Sequence, residues 1–460
     1  MTIPKDDNPL ENKSLYGVSP ALADEIESAL NSNNFTIVQG LIEGLHAADV
    51  ADLMKGLSAD HRRVFIEAIK TTLDPEILAE LEDTIRKDAL EVLDTQEIAE
   101  AVSDLESDDA LDLIEDLEED QKQEVLSAIP AVERAILEEV MTYPEESAGR
   151  LMQREMVCVP TFWTVTEAIA FIRSNEELPE NFYTIYVVDP RHHPIGEIPL
   201  SKLLQYKGDK AVSDIMNTDL HQIPVTKDQE EVAALFQHYG LVSAPVVDPS
   251  GRIVGMITVD DVVSVIEEEA EEDIMLMAKV SESDFNAPVL TASYMRIRWL
   301  VITLVNTLLA AFVISQFQDS IKKITALSFL MTINAAMGGN AGMQVVTIVV
   351  RALATRSLRE GDTWRAITKE ILVGFVTGSF FSFILGGIAI LWLQDIHLGI
   401  ILSTAIICNI LWAAFAGTLF PIIIHKMGLD PALSAGPLLT TTTDVLGYAV
   451  FLGLATAFLM

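Results

Sequence analysis

The chain has 460 residues, enough for three or four domains, and a formal net charge of −38 at pH 7. From Thr291 onward there are 7 acidic and 10 basic residues, so positions 1–290 hold 61 acidic and 20 basic residues. A surface this negative excludes nucleic acid as a partner, because phosphate contacts require Lys and Arg, and it suits divalent cations, although a solubilising role would also explain it.

Residues 1–19 are polar and are predicted to be a disordered tail. Over residues 20–143, apolar residues recur at helical spacing, as in Val50, Leu53 and Leu57. Asp or Ser recurs just before these helices, where a side-chain oxygen can cap the first turn. The pattern predicts an acidic all-α N domain whose short amphipathic helices stack into a superhelix.

Residues 144–268 contain an internal repeat, because Val187-Val188-Asp189-Pro190 recurs about 59 residues later as Val246-Val247-Asp248-Pro249. Each copy has the pattern of helix, strand, turn, strand, helix, which resembles an α/β tandem CBS (Bateman) module with copies at about 152–210 and 211–268. Such modules bind adenine nucleotides. Thr258 and Asp260 match the positions that hold phosphate and ribose, so one ATP or AMP site is expected, unless this segment is only a strand-to-helix turn.

A charged plug or connecting helix is predicted over residues 269–295, followed by an all-α transmembrane domain over 296–460. Five apolar stretches are each long enough to cross a hydrocarbon core of about 30 Å, and they cover residues 299–317, 324–350, 370–393, 398–424 and 432–460. Lys322 and Lys323 fall on one side, and the other flanking basic residues fall on the opposite side: Arg296, Arg298, Arg351, Arg356, Arg359, Arg365, Lys369 and Lys426. A multi-pass protein of the inner or plasma membrane is therefore predicted, with a cytoplasmic N-terminus and the C-terminus outside.

Asp444 is the one acidic residue that lies deep inside a predicted span. An ionised carboxylate at that depth costs several kcal/mol unless it faces protein, water or a cation. It is either a structural carboxylate bonded to hydroxyls or a cation site in a pore. We favour the pore, because two Asp444 carboxylates related by a dimer axis would hold one divalent ion.

Mg²⁺ loses its water reluctantly, so a pore can recognise it through its hydration shell with oxygen acceptors. The candidate pore-lining residues come from the fifth and second spans: Pro437, Thr440, Thr443, Gly338, Gly339 and Asn340. The glycines and amides of the second span predict a weakened helix and close backbone approach. A tight helix crossing, and helix packing by the threonines, are the alternatives.

With these residues in view, the chain resembles the MgtE family of magnesium transporters over about residues 20–460. Four stretches carry the resemblance: Tyr143-Pro-Glu-Glu-Ser-Ala-Gly-Arg-Leu-Met152; Asp260-Asp261 with Glu269-Ala-Glu-Glu-Asp-Ile274; Gly338-Gly-Asn-Ala-Gly-Met-Gln344; and Asp430-Pro431-Ala432 with Thr443-Asp444-Val445-Leu446-Gly447.

The resemblance implies a homodimeric magnesium channel in which cytosolic Mg²⁺ bridges acidic faces of the N, CBS and plug elements and holds the pore shut. Asp444 matches the pore carboxylate. The implied regulatory ligands are Asp228, Glu230, Asp260, Asp261, Glu269, Glu272, Asp273 and Asp430. In the N domain, acids such as Glu97, Asp108 and Asp109 are abundant, but no motif shows which of them bind metal.

The chain departs from the family pattern at several positions. Ser264 and Gly240 stand where the family often has acids, Gly436 replaces an amide near the pore, and Asn334-Ala335 precede the glycine motif where Pro is common. These differences concern the sensor affinity and the details of pore coordination, and they leave Asp444 in place.

No catalytic constellation is found, so the chain is not predicted to be an enzyme. Two alternatives to a magnesium channel are a membrane-anchored CBS sensor of nucleotides and a CBS-regulated transporter of another solute or divalent cation. An anchored sensor has no need of an intramembrane carboxylate, and a coupled transporter calls for several charged groups at the midplane. The sequence leaves open whether Mn²⁺, Co²⁺ or Ni²⁺ also passes.

Overall fold

The computed structural model describes residues 17–175, 178–179, 181–278, 289–354, 357–358 and 360–460, without the side chains of 291, 292, 295 and 360. Most of the predicted tail, part of the predicted plug segment, and Arg356 and Arg359 lie outside these residues. The chain divides into two compact units, Met1–Glu267 and Glu268–Met460.

The first unit begins with short helices, which confirms the predicted helical N domain. Several of these helices begin directly after a capping residue. Ser19, Ser58 and Asp94 accept hydrogen bonds from backbone amides of the first turn, and Asp94 forms a capping box with Glu97. The helices are α1 (Pro20–Asn31), α2 (Phe35–Ile42), α3 (Ala47–Gly56), α4 (Ala59–Ile69), α5 (Glu76–Ala79), α6 (Asp83–Leu90), α7 (Thr95–Asp104), α8 (Ser107–Glu115), α9 (Glu119–Ala128) and α10 (Ala131–Val140), with a 3-10 turn at Lys70–Thr72.

The repeat folds into two three-stranded sheets of the same topology, in which the first strand pairs parallel and the third antiparallel with the second. Both sheets have a register shift in the second strand, at Val187/Val188 and at Val246/Val247. The elements are α11 (Ala148–Leu151), β1 (Cys158–Pro160), α12 (Val165–Ser174), β2 (Thr184–Val188), β3 (Pro194–Pro199), α13 (Leu200–Leu203), α14 (Val212–Ile215), β4 (Ile223–Pro224), α15 (Gln229–Tyr239), β5 (Ser243–Val247) and β6 (Ile253–Thr258).

Five helices are long and apolar enough to cross a membrane, which confirms the predicted number of spans among the described residues. The predicted plug does not begin a new helix, because residues 269–278 continue α16 (Val259–Ala278). The remaining elements are α17 (Val289–Ser315), α18 (Gln318–Lys323), α19 (Ala326–Ala354), a 3-10 turn at Glu360–Asp362, α20 (Thr363–Leu393), α21 (Ile396–Lys426) and α22 (Pro431–Leu459).

Helix α21 is the centre of the second unit and packs against α19, α20 and α22. Its crossing with α20 depends on small residues, because lipid provides no hydrophobic force between helices and close packing must hold them together. A β-carbon at Gly399 would lie 2.9 Å from the carbonyl oxygen of Gly386 and 2.2 Å from Ile390. The backbones are therefore in direct contact here.

Gly399→Ala is expected to lower the free energy of unfolding by about 1–3 kcal/mol, because the backbone of α20 must move to admit the methyl group. The matched control is Gly387→Ala, where a β-carbon meets no atom within 4 Å. Thermal unfolding of the full chain in detergent measures both. Equal melting temperatures for Gly399→Ala and the wild type would contradict this packing.

Candidate functional site

Asp444 lies near the middle of α22, in a membrane-spanning helix of 29 residues. Its side chain is half-buried within this chain. Across the part of the chain that the structure describes, its carboxylate has no hydrogen-bond or ion-pair partner. A carboxylate in hydrocarbon without a protein donor calls for water, a cation or a second subunit beside it.

The neighbouring threonines do not serve this carboxylate as donors. The Thr440 hydroxyl donates to the Gly436 carbonyl at 3.0 Å, and the Thr443 hydroxyl donates to the carbonyls of Leu439 and Thr440 at 3.0 Å each. The hydroxyls of Thr441 and Thr442 also bond within their own helix. The alternative of a structural carboxylate held by these hydroxyls therefore has no contact to support it.

The other candidates on α22 differ in accessibility. Thr440 and Pro437 are half-buried, whereas Thr443 is fully buried. The Pro437 carbonyl accepts from the Thr441 hydroxyl at 2.8 Å and from Nδ2 of Asn306, on α17, at 3.4 Å. Thr440 thus offers a half-buried hydroxyl, the Pro437 carbonyl is already engaged by two side-chain donors, and Thr443 serves packing.

The glycine motif of the second span lies within an unbroken helix, so the backbone there is regular. The predicted close backbone approach is present, because a β-carbon on Gly417 would lie 3.0 Å from the Gly342 carbonyl oxygen. Gly338 is buried, and a β-carbon on it would lie 2.2 Å from Nδ2 of Asn409. Gly339 is half-buried with open space around it, and Asn340 is exposed. Gly338 thus belongs to a tight helix crossing, which is the alternative to a pore-lining role. Gly339 and Asn340 remain accessible.

Sequence reasoning misses the burial of Glu370 within α20. It places this residue at the edge of the third span, but α20 begins at Thr363, and the Glu370 side chain is 8% exposed. Its carboxylate lies 3.3 Å from the ammonium of Lys369. Because α20 begins seven residues earlier, Glu370 lies inside the helix.

Three acids predicted as regulatory ligands come together in the second unit. Burial, together with the charges of Asp430 and Glu269, raises the pKa of Asp273. Asp430 caps α22 by accepting from the amides of Ala432 and Leu433 at 2.8 and 3.3 Å. Glu272 lies between Glu269 and Asp273 on α16.

In the first unit, Asp261 lies at the start of α16 and accepts from the amide and the hydroxyl of Thr258. Acids at the start of α8 face it: burial and the charge of Asp261 raise the pKa of Asp109 to about 7 and raise that of Asp108. Burial and the charge of Asp260 raise the pKa of Asp261 to about 6. The fold thus joins carboxylates from two distant segments.

Four hydrogen bonds hold α8 and the residue before it against the segment before β1. The Ser107 amide and hydroxyl donate to Glu155 at 3.2 and 2.9 Å, and the Arg154 amide donates to the Ser107 hydroxyl at 2.7 Å. The side-chain amide of Gln153 donates from Nε2 to the Glu106 carboxylate. This docking surface, formed by residues 106–109 and 153–155 with Asp261, could not be read from the sequence.

Two of the other predicted ligands lie apart from these carboxylates. Asp228 and Glu230 are exposed at the start of α15, where Asp228 accepts from the Glu230 amide at 3.0 Å as a helix cap. Asp260 is exposed. Among the described residues, no group of three or more His, Cys, Asp or Glu side chains is arranged as a ready metal site. The carboxylates are close enough to repel one another but do not form a preformed cage.

A cavity of about 620 Å³ lies between the two CBS copies. It is lined by Tyr183, Thr184, Glu197, Pro199, Leu200, Ser201, Leu204, Gly240, Leu241, Val242 and Ser243. The predicted nucleotide residues Thr258 and Asp260 are not among them, and the Thr258 hydroxyl is engaged by Asp261.

These features describe a membrane protein with a helical N domain, a tandem repeat of the CBS type and five helices long and apolar enough to cross a membrane. A family model described as MgtE, divalent cation transporter, matches residues 331–454; the MgtE intracellular N domain matches 45–146, and the CBS domain matches 212–268.

Magnesium transporter MgtE of Bacillus subtilis is 30% identical over 92% of this chain and 94% of that protein. Magnesium transporter MgtE of Thermus thermophilus is 32% identical over 94% of this chain and 98% of that protein. The chain belongs to the MgtE family of magnesium transporters. A crystal structure of the cytosolic domain of the Mg²⁺ channel MgtE in complex with ATP is 31% identical, covers 53% of this chain and 99% of that chain, and has a TM-score of 0.49.

Proposed function

We propose that this protein is a homodimeric, Mg²⁺-selective channel of the cell membrane that cytosolic Mg²⁺ closes by negative feedback. The N-terminus lies in the cytoplasm and the C-terminus outside. The observation that carries the transport proposal is the half-buried carboxylate of Asp444 in the middle of α22, with no protein donor within the described residues. An anchored nucleotide sensor gives no reason to keep such a group in the membrane.

One carboxylate per chain is too little for a dehydrated divalent ion, which needs about six oxygens. Two Asp444 carboxylates across a dimer axis would instead accept hydrogen bonds from the water shell of one Mg²⁺. Thr440, Asn340 and Gly339 offer further oxygens or open space for that shell. Hydrated Mn²⁺, Co²⁺ and Ni²⁺ carry the same charge in a similar octahedral shell, so we expect them to pass less well but measurably.

In liposomes that hold the purified full chain, Asp444→Ala and the nearly isosteric Asp444→Asn are expected to reduce Mg²⁺ uptake by about 100-fold or more, because each removes the charge that offsets the ion's transfer into the membrane. Uptake is followed with a Mg²⁺-sensitive dye inside the vesicles. Thr441→Val is the matched control, because this hydroxyl bonds within its own helix. Equal flux through Asp444→Asn and the wild type would remove Asp444 from the pore.

The proposed gate depends on repulsion between carboxylates. In the second unit Asp273, Glu269 and Asp430 share one region, with Glu272 on the same helix, and in the first unit Asp261 faces Asp108 and Asp109. Raised pKa values mean that these arrangements bind protons more readily than separated carboxylates do. They are therefore stabilised at low pH, and this stabilisation is lost as pH rises through the raised pKa, about 7 for Asp109.

At neutral pH, a divalent cation can neutralise these carboxylates instead of protons, and carboxylate oxygens are the ligands that Mg²⁺ prefers. High cytosolic Mg²⁺ would thus hold the elements together and the pore closed, and low Mg²⁺ would let them separate. Asp228, Glu230 and Asp260, which are exposed, are proposed as further ligands that bind only in the closed assembly.

The double substitution Asp109→Asn/Asp261→Asn is expected to reduce the ratio of flux at low to flux at high cytosolic Mg²⁺ by about fivefold or more. Removing two charges weakens both the repulsion that opens the assembly and the binding that closes it. The liposome assay with Mg²⁺ varied on the cytosolic face measures the ratio. Asp120→Asn, an exposed acid on α9, is the control. A wild-type ratio in the double variant would contradict this sensor.

We also propose that the cavity between the CBS copies takes an adenine nucleotide such as ATP or AMP. Its volume of about 620 Å³ suits a ligand of this size, and Tyr183 provides an aromatic surface for a base. Thr184, Ser201 and Ser243 offer hydroxyls. The sequence-based alternative, with Thr258 and Asp260 as the ligands, is a competing location.

ATP titration by calorimetry on the detergent-solubilised full chain distinguishes the two locations. Ser201→Trp fills the cavity from an exposed position and is expected to abolish the binding heat, whereas Thr258→Val is expected to retain it. The opposite pattern would place the nucleotide at Thr258, and no heat in the wild type would exclude both.

A further inference from the structure

Two fully buried asparagines join three of the membrane-spanning helices. Nδ2 of Asn409, on α21, donates to the carbonyl of Asn334, on α19, at 2.9 Å. Nδ2 of Asn334 in turn donates to the carbonyl of Gly447, on α22, at 2.8 Å. Both side chains are 0% exposed. The bonds run in one direction, from α21 through α19 to α22.

The orientation of both amides is determined by their partners. Each Nδ2 faces a carbonyl oxygen, which can only accept, so neither amide can be turned around without losing its bond. The two Oδ1 atoms are consequently buried without a donor in the described structure. Buried polar groups left unpaired in this way are rare, so a site that keeps two of them calls for an explanation.

Glycines make room for these amides. A β-carbon on Gly447 would lie 2.7 Å from Nδ2 of Asn409, and one on Gly338 would lie 2.2 Å from it. The helices α19, α21 and α22 therefore meet where two glycines surround one asparagine. Apolar contacts elsewhere on α22, such as Leu439 and Phe451, pack well but allow sliding more readily than directed hydrogen bonds do.

The site lies one helical turn from the proposed pore carboxylate. Gly447 follows Asp444 by three residues, which corresponds to about 4.5 Å along the axis of α22. A hydrogen bond to the Gly447 carbonyl thus restrains the height and rotation of the helix at the level of Asp444. A slip of one residue would turn the carboxylate by about 100° and remove it from any shared axis.

We propose that Asn334 and Asn409 are positioning residues for cation permeation, which hold α22 so that Asp444 faces the ion path. This inference rests on the proposed function, because it assigns to Asp444 the role of the pore carboxylate. Neither asparagine touches the ion. Their effect is on the distance and direction from which Asp444 meets the hydration shell.

The test compares Asn334→Leu, which has the same branched shape but no donor, with the wild type in the liposome uptake assay. We expect the Mg²⁺ concentration for half-maximal uptake to rise by about tenfold or more and the preference for Mg²⁺ over Ca²⁺ to fall. Asn334→Ser, which keeps a short donor, is expected to recover part of both. Thr332→Val is the control, because its exposed hydroxyl bonds only to its own helix.

A purely structural role for the amides would lower maximal uptake in proportion to folded protein and leave half-saturation and selectivity unchanged, and that result would overturn the inference. Where Asn334→Leu does not yield monodisperse protein, Asn334→Ala removes the same donor without adding bulk and decides the question. Asp444→Asn in the same assay separates the two proposals. Wild-type uptake through Asp444→Asn refutes the pore assignment itself, whereas loss there with an unaltered Asn334→Leu refutes only the positioning role.

Discussion

Hydrocarbon offers no hydrogen-bond donors, and this constraint governs the membrane-spanning half of the protein. Every polar group placed there must find a partner in the protein, in water or in an ion. The threonines before Asp444 satisfy the constraint by bonding back to their own helix. The asparagines satisfy it only for their Nδ2 atoms, which donate to backbone carbonyls of neighbouring helices. Asp444 has no such partner within the described residues, and a hydrated cation is the partner proposed for it above.

The opposite constraint operates in the acidic half, where water is available but like charges are crowded. Carboxylates from α8 and from the start of α16 come together, and their raised pKa values record the cost of doing so. Hydrogen bonds from Ser107 and Arg154 hold the docking surface without neutralising it. An assembly of this kind is stabilised by added positive charge, which makes it suited to respond to the concentration of a divalent cation.

The sequence is most informative where a pattern has a period or a sharp energetic consequence. The helical N domain, the tandem repeat and the five spans follow from apolar spacing and length, and the structure confirms them. Asp444 is recognisable because a lone acid in an apolar stretch is expensive. At the glycine motif the sequence left two outcomes open, since glycine permits both a broken helix and a close helix crossing. The helix is unbroken, and its glycines pack against Asn409 and Leu439.

Other features of the sites depend on residues that are far apart in the sequence but close in space, and no local pattern encodes this proximity. Asp109 and Asp261 lie far apart along the chain, and Asn334, Asn409 and Gly447 come from three different helices. Glu370 falls at the edge of a predicted span because composition alone cannot locate where a helix starts. The amino-acid sequence by itself determined the element types, the five spans, the uneven charge and the intramembrane acid, because each is a property of neighbouring residues. Tertiary structure alone decided which acids face one another and which amides join the helices, because hydrogen bonds and repulsion depend on distance in space.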